Sequence, residues 1–264
     1  MAEKSNKRSL FSKSLDSFFE GTAELAQFTT DVFREGIKPP YEFREVLNQC
    51  YEIGIKSFVL VGVTAFILGL VLVMQSRPTL VEFGAGSYLP AMSAVSIVRE
   101  IGPLVTALIC AGKIGSGISA ELGSMKVTEQ IDTMEVSGTN PFKYLIATRI
   151  MATTFMIPVL TVYAVIISLM GAYIGANITD QVNVNFFFNR VFETLTFKDI
   201  IPSFTKTFFF GFAIGLVGCT KGYNSKKGTE GVGQAANASV VISMLSVIVI
   251  DMVVTRITSM LGYL

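Results

Sequence analysis

The sequence predicts an all-α, polytopic membrane protein in which five transmembrane helices follow an N-terminal amphipathic helix at the membrane interface. Three observations predict this fold class. The 264 residues are 51% apolar and only 16% charged, with a mean hydropathy of +0.56, which is too apolar for an ordinary soluble domain. Long runs without charge match the roughly 20 apolar residues that a helix needs to cross a bilayer. An apolar stripe of helical period comes before the first run.

The N-terminal segment, residues 1–40, is predicted to be a cytoplasmic tail followed by the amphipathic helix. Between residues 10 and 36, apolar side chains recur at helical spacing and acidic side chains take other positions. The stripe consists of Phe11, Leu15, Phe18, Leu25, Phe28 and Val32. Two placements fit this pattern: the helix lies in the interface with its phenylalanines in lipid, or it packs against the rest of the protein.

Five membrane spans are predicted after this helix. Uncharged runs at 57–76, 150–179 and 231–250 form the centres of three spans, and two further apolar regions contain charged residues. A proline within a span is tolerated because a membrane helix can kink and satisfy the freed carbonyl group elsewhere. The predicted spans cover about residues 54–76, 93–120, 150–175, 200–220 and 237–261.

The basic residues predict how these spans are oriented. Fourteen Lys and Arg residues lie in 1–56, 121–149 and 221–230, and four lie on the opposite side. Cytoplasmic loops carry the excess of basic residues in membrane proteins. The N-terminus is therefore predicted in the cytoplasm and the C-terminus on the opposite side of the membrane.

A short amphipathic helix is predicted on the cytoplasmic side, within residues 121–138. Val127, Ile131 and Met134 recur at helical spacing, acidic residues fall elsewhere on the wheel, and Gly138 and Pro141 provide a stop. Periodicity alone fits a structural loop helix as well as a helix that docks on a partner.

Five charged residues fall within or at the ends of apolar segments. They are Arg99, Glu100, Lys113, Lys206 and Asp251. A charge at the centre of a membrane helix costs roughly 2.5–3.5 kcal/mol on insertion scales, so such residues usually pair or face water. Three cations and two anions permit two ion pairs with one cation left over. Three uses fit these charges: they hold an anionic headgroup, they lock helix to helix, or they lie at the membrane interface, where Lys113 could extend its charge into water.

The composition excludes several classes of function. The chain has no histidine, which removes a serine-histidine triad and a histidine-zinc site, and we predict neither catalytic residues nor a metal site. The net charge of +1 does not favour nucleic acid. The segment 111–117 lacks the spacing of a phosphate-binding loop. We therefore expect no enzyme and no cofactor bound by this chain, so that any ATP is hydrolysed by a partner.

Several segments closely resemble the MlaE family, the permease subunits of bacterial ABC transporters that move phospholipids between the inner and outer membranes. Most specific is the central run, which contains Arg99-Glu-Ile-Gly-Pro103 and continues through residues 111–117 and 121–132. The later segments 217–224 and 230–233 match the family as well. The resemblance covers most of residues 40–264.

The resemblance implies a permease domain over 41–264, located in the bacterial inner membrane and paired as a homodimer. Each copy would bind a cytoplasmic ABC ATPase subunit, which uses ATP and Mg²⁺. A hexameric MCE-domain lipid-binding protein would sit on the periplasmic side, and a small STAS-domain subunit often accompanies the ATPase. Such a complex transports phospholipid and maintains the lipid asymmetry of the outer membrane.

The resemblance also assigns roles to residues. Within the cytoplasmic coupling region 121–143, the residues that would dock on the ATPase are Glu121, Met125, Lys126, Glu129, Gln130 and Asp132. The residues that would line the lipid cavity are Met74, Leu80, Phe83, Arg99, Glu100 and Ile101, with Lys206 and Asp251 as further intramembrane charges. Two other functions stay open: an ion-coupled secondary carrier, which could also use intramembrane charges, and a structural membrane scaffold.

Overall fold

The computed structural model describes residues 28–30, 32, 34, 42–178 and 182–261, and these residues form helices and short connections without a β-strand. Five helices are long and apolar enough to cross a membrane. These five are α1 (Phe43–Glu82), α2 (Gly86–Val127), α4 (Phe142–Asn177), α6 (Phe197–Tyr223) and α7 (Thr229–Met260). The remaining helices are α3 (Gln130–Val136), between α2 and α4, and α5 (Val184–Thr194), between α4 and α6. The predicted count of five spans is confirmed.

The two ends of the bundle are named after the short helix that each one carries. The α3 end carries the α2–α3, α3–α4 and α6–α7 connections, and the α5 end carries the α1–α2, α4–α5 and α5–α6 connections. Residues 177–199 are predicted to be too polar to span and to lie against the outer surface. There α5 buries Phe187 and Val191, and the Phe187 ring lies 5.6 Å from that of Tyr173 on α4.

Glycines bring α1 and α4 into backbone contact. A Cβ atom at Gly69 would lie 1.9 Å from the carbonyl oxygen of Ser168, and one at Gly171 would lie 2.1 Å from that of Phe66. Lipid tails are as apolar as leucine, so membrane helices associate through such close packing instead of through the hydrophobic effect. Only glycine fits at these two crossings.

Small residues also join α6 to α4 and α2 to α7. A Cβ at Gly211 would lie 2.6 Å from the carbonyl oxygen of Thr153 on α4. On α2, the carbonyl oxygen of Gly115 accepts a hydrogen bond of 3.0 Å from Ser239 Oγ of α7. The helices α2, α6 and α7 also pack against one another, which brings their charged residues together.

The described part of the N-terminal stripe packs on the protein itself. Phe28 and Val32 are buried in the main apolar core. The Phe28 ring lies 4.8 Å from the ring of Phe142 and 6.1 Å from that of Tyr223 at the α3 end. The rest of the predicted helix over 10–36, including Phe11, Leu15, Phe18 and Leu25, lies outside the described residues, and its interfacial placement stays a prediction.

The prediction of a single helix within 121–138 is wrong, because two helices share this segment. Residues 121–127 continue α2, and a separate helix, α3, begins at Gln130. Between them Glu129 adopts a left-handed backbone with φ of 58°, which is strained for a residue with a Cβ atom. The change of direction lets Ile131 enter the core, where it is 3% exposed. The predicted stop is confirmed, since α3 ends at Val136, just before Gly138.

Candidate functional site

A buried lysine joins three membrane helices near the α5 end. Lys206 Nζ on α6 lies 2.8 Å from Glu100 Oε2 on α2 and 2.8 Å from Asp251 Oδ1 on α7. The Lys206 side chain is 4% exposed and that of Asp251 12%, whereas that of Glu100 is 44% exposed. One ammonium group therefore holds two carboxylates, of which one is buried and one is half exposed.

A second ion pair lies beside the first. The guanidinium group of Arg99 on α2 contacts the carboxylate of Asp199 in the first turn of α6. Asp199 also accepts hydrogen bonds from the backbone N–H (2.8 Å) and the hydroxyl (2.7 Å) of Thr196, which caps α6. Ser203 Oγ, one turn further, donates to the carbonyl oxygen of Val98.

The local backbone explains how adjacent residues reach different partners. Arg99 and Glu100 lie in a π-helical turn of α2, Ile97–Ile101, directly before Gly102-Pro103. Pro103 lacks the N–H that would continue the regular hydrogen-bond pattern, and π turns of this kind are frequent at functional sites. The turn aims Arg99 at Asp199 and Glu100 at Lys206.

The structure thus brings together four of the five charged residues noted in the sequence. The pairing differs from the prediction, because Lys206 takes two carboxylates and Arg99 takes Asp199, which sequence reasoning missed. The signal was present: Thr196 followed by Asp199, three residues on, is a helix-capping pattern. Two cations face three carboxylates in this group, which we call the charge cluster (Arg99, Glu100, Asp199, Lys206 and Asp251).

The fifth residue, Lys113, lies elsewhere. It is exposed near the α3 end, and its ammonium group donates to the carbonyl oxygen of Lys56 on α1. Lysine often extends along its apolar stem to place its charge at the interface. Lys113 therefore belongs to a different site from the charge cluster.

The cavity at the charge cluster is small. Its volume is about 40 Å³, and residues of α2, α6 and α7 line it, including Arg99, Glu100 and the exposed Lys198. A water molecule takes up about 30 Å³ in the liquid, and small-molecule pockets usually measure about 300–1,000 Å³. One copy of the chain therefore has room at the cluster for water but not for a lipid headgroup.

The other predicted cavity residues are spread over the α1 and α2 surfaces. Ile101 lines a separate narrow cavity between α1, α2 and α4. Leu80 is half-buried against the apolar cluster at the α5 end. Met74 and Phe83 are exposed, with 44% and 79% of their surface accessible. These residues do not form one pocket with Arg99 and Glu100 within the described part of a single chain.

The predicted coupling residues divide into an anchored and an exposed group. Glu121 pairs with the buried Arg149 of α4 at 2.8 Å. Lys126 Nζ donates to the Tyr223 carbonyl oxygen at 2.6 Å and lies 5.0 Å from the centre of its ring. Met125 packs against the core.

The exposed group surrounds α3. Glu129, Gln130 and Asp132 are exposed, and so is Val136, with 89% of its surface accessible. Ile131 alone is fully buried in this helix. The exposed surface of α3 is thus acidic with one accessible apolar residue, and the end of α2 that precedes α3 is held to α4 and α6 by the contacts of Glu121 and Lys126.

Among the described residues, no group of three or more Cys, Asp and Glu side chains could hold a metal ion. Cys50, Cys110 and Cys219 are free thiols, and the last two are buried. The side chains described above therefore offer ion pairing, hydrogen bonding and packing.

Comparison with known proteins gives consistent matches over most of the chain. The family profile described as "Permease MlaE" matches residues 46–257. A probable ABC transporter permease protein of Rickettsia typhi is 32% identical over 251 residues, covering 95% of this chain and 97% of that protein. The intermembrane phospholipid transport system permease protein MlaE of Haemophilus influenzae is 31% identical over 216 residues, covering 81% and 83%. A probable ABC transporter permease protein of Synechocystis is 29% identical over 236 residues, covering 89% and 90%.

Proposed function

Because the chain belongs to the MlaE permease family of ABC transporter permeases, we propose that it is the membrane subunit through which an ATP-driven complex moves phospholipids. The lipids pass between the inner membrane and a periplasmic MCE-type lipid-binding protein, and their transport maintains outer-membrane lipid asymmetry. The observation that carries this proposal is the family match over 46–257, which includes both the charge cluster and the α3 region. ATP and Mg²⁺ are bound by a partner ATPase subunit, which a STAS-domain subunit accompanies in some complexes.

The surface of α3 supports the docking of an ATPase at this end. Its exposed acidic residues and Val136 project from a base that Glu121–Arg149 and Lys126–Tyr223 tie to neighbouring membrane helices. A push on α3 is therefore transmitted to α2, α4 and α6. We infer that the α3 end and the N-terminus face the cytoplasm and that the α5 end faces the periplasm, and the excess of basic residues in the loops supports this orientation.

The size of the cavity supports a homodimer. About 40 Å³ at the charge cluster cannot hold a lipid, while Met74 and Phe83 leave apolar surface on the same membrane half. A second copy facing these surfaces would enclose a larger, mostly apolar space with Arg99 and Glu100 at its edge. ATP-driven approach of the two α3 regions would then narrow this space and pass the lipid on.

The coupling assignment is tested by charge reversal on α3. In the double variant Glu129→Lys and Asp132→Lys, we expect co-purification of the ATPase subunit to fall strongly while membrane insertion is unchanged. Glu193→Lys is the matched control, because Glu193 is an exposed acid on α5 at the other end. Unchanged association and unchanged lipid-stimulated ATP hydrolysis in the double variant would refute the assignment.

The lipid path is tested by photocrosslinking. A photoreactive amino acid at Phe83 or Met74 should label phospholipid that stays bound in mild detergent, and one at Val159, which is 56% exposed on α4, should label much less. Equal labelling at all three positions would argue against a specific cavity. Lipid transport that continues after ATP depletion would instead favour an ion-coupled carrier.

A further inference from the structure

A larger cavity lies between α1 and α2 at the α3 end, far along the helices from the charge cluster. Its volume is about 330 Å³, and its walls are formed by residues 49–57 of α1 and 113–121 of α2. This volume falls in the range of small-ligand pockets, about 300–1,000 Å³. The cavity lies at the level where the uncharged run of α1 begins, at residue 57, which is the depth of lipid headgroups.

One lysine in this cavity has a charge that no carboxylate of the described residues balances. The other charged side chains of the wall are paired: Lys56 with Glu52 at 2.7 Å, and Glu121 with Arg149 at 2.8 Å. Lys113 donates to the carbonyl oxygen of Lys56, and no carboxylate of the described chain lies within ion-pair distance of it. An ammonium group has three donors, so two remain for an anion.

A buried hydroxyl group in the same wall lacks a partner. Ser57 is 1% exposed, and its Oγ has no hydrogen-bond partner among the described residues. Leaving a buried polar group unsatisfied is costly, so each such group in a native protein calls for an explanation. Ser57 and Lys113 line one cavity from opposite helices, and a ligand with acceptor oxygens would satisfy both.

The remaining wall suits the carbon part of the same ligand. Ile53, Ile114 and Ile118 are buried apolar residues of the cavity. Gly117 is exposed at its edge, and a Cβ atom there would meet nothing within 4 Å. The edge of the cavity is therefore open at Gly117, on the surface of α2.

We propose that this cavity binds the phosphate-bearing headgroup of a phospholipid from the leaflet at the α3 end. The Lys113 ammonium group pairs with the phosphate, the Ser57 hydroxyl donates to a phosphate oxygen, and the three isoleucines contact the glycerol and the first acyl carbons. A free inorganic phosphate shares the polar chemistry but would leave the apolar wall without a partner. The site is separate from the charge cluster and does not depend on the proposed transport function.

The test measures lipid binding to the full chain, extracted in mild detergent with its natural partners and then delipidated. Native mass spectrometry titrates phosphatidylglycerol, with diacylglycerol of the same acyl chains as the probe that lacks phosphate. We expect the affinity for one phosphatidylglycerol to fall about tenfold in Lys113→Gln, since a charge-assisted contact is lost, and to recover in Lys113→Arg. Ser57→Ala should cost about threefold.

A substitution that fills the opening provides an independent readout. Gly117→Leu should abolish this binding without destabilising the protein, because its side chain enters open space. Gly233→Leu is the matched control, since Gly233 is an exposed helical glycine at the same end with equally open surroundings. Phosphatidylglycerol binding that survives Gly117→Leu would overturn the proposal.

Two further measurements distinguish a phospholipid from a free phosphate ion in this cavity. Equal affinity for diacylglycerol and phosphatidylglycerol would overturn the phosphate contact, and displacement of the lipid by low millimolar inorganic phosphate would show a free-anion site instead. Photolabelling at Phe83 reports separately on the proposed transport path. Loss of binding in Lys113→Gln with unchanged labelling at Phe83 would support two separate sites.

Discussion

Replacing Lys206 by methionine tests whether the charge cluster holds α2, α6 and α7 together. Methionine keeps the length of the apolar stem and removes the ammonium group. The substitution leaves Asp251, with a side chain only 12% exposed, without its cation. Removing one partner of a buried ion pair costs about 3–5 kcal/mol, because the other charge stays buried and uncompensated.

The neighbouring carboxylates allow this cost to be assigned. In Asp251→Asn, Lys206 still has Glu100 at 2.8 Å, so we expect a smaller loss of about 1–3 kcal/mol. In the double variant Lys206→Met with Asp251→Asn, no buried charge is left unpaired at this point. We therefore expect the double variant to be more stable than the sum of the single losses predicts, by about 2 kcal/mol.

The assay is thermal unfolding of the detergent-solubilised protein, followed by fluorescence-detected size exclusion. With about 2–4 °C per kcal/mol for a chain of this size, Lys206→Met should lower the Tm by about 10 °C. Lys198→Met is the matched control, because Lys198 lines the same cavity but is exposed, and it should change the stability by less than about 0.5 kcal/mol. Equal effects of the two lysine substitutions, or additive effects in the double variant, would refute the buried-pair reasoning.

Three further substitutions test the packing and the caps with the same assay. Gly69→Ala places a Cβ 1.9 Å from the Ser168 carbonyl oxygen, so we expect the free energy of unfolding to fall by about 3 kcal/mol or more. Gly233→Ala is the control and should have little effect. Equal Tm values for the two variants would contradict the close crossing of α1 and α4. Asp199→Asn weakens the cap of α6 and the ion pair with Arg99 of α2, and should lower the free energy of unfolding by about 1–3 kcal/mol. A stability equal to that of the native protein would show that the Arg99–Asp199 pair is dispensable. Glu129→Gly removes the strain of the left-handed backbone at φ of 58° and should stabilise the chain by up to about 1 kcal/mol. A lower Tm would show that the Glu129 side chain stabilises the protein by more than the strain destabilises it.

Local chemistry was enough to predict the five membrane-spanning helices and a helix around Ile131. The uncharged run from residue 57 lies within α1, and the stripe with Ile131 and Met134 lies on α3, with Ile131 buried and Met134 packed against the core. These predictions succeed because a helix in lipid must satisfy its backbone within the segment itself, and the residues that do so are neighbours in sequence. The break at Glu129 could not be predicted in this way, because it depends on where the core accepts Ile131.

The charge cluster shows the opposite case. That Arg99, Glu100, Lys206 and Asp251 need partners follows from the energy of a charge in an apolar segment. That Arg99 finds Asp199, about a hundred residues later in the chain, follows only from the approach of α2 to the first turn of α6. The same holds for Lys113, which is one of the five charged residues noted in the sequence and lies at the other end of the bundle, where it contacts Lys56.

The sequence by itself determined the class of protein, the number of spans and which charged residues need partners, because apolar length, helical period and the cost of burying charge are properties of segments. Only the tertiary structure decided which charges pair and how large each cavity is, because pairing and volume depend on distances between helices that are far apart in the chain. The glycines at 69, 171 and 211 set the distances of α1 and α6 from α4, since each permits a backbone contact that any larger residue would prevent.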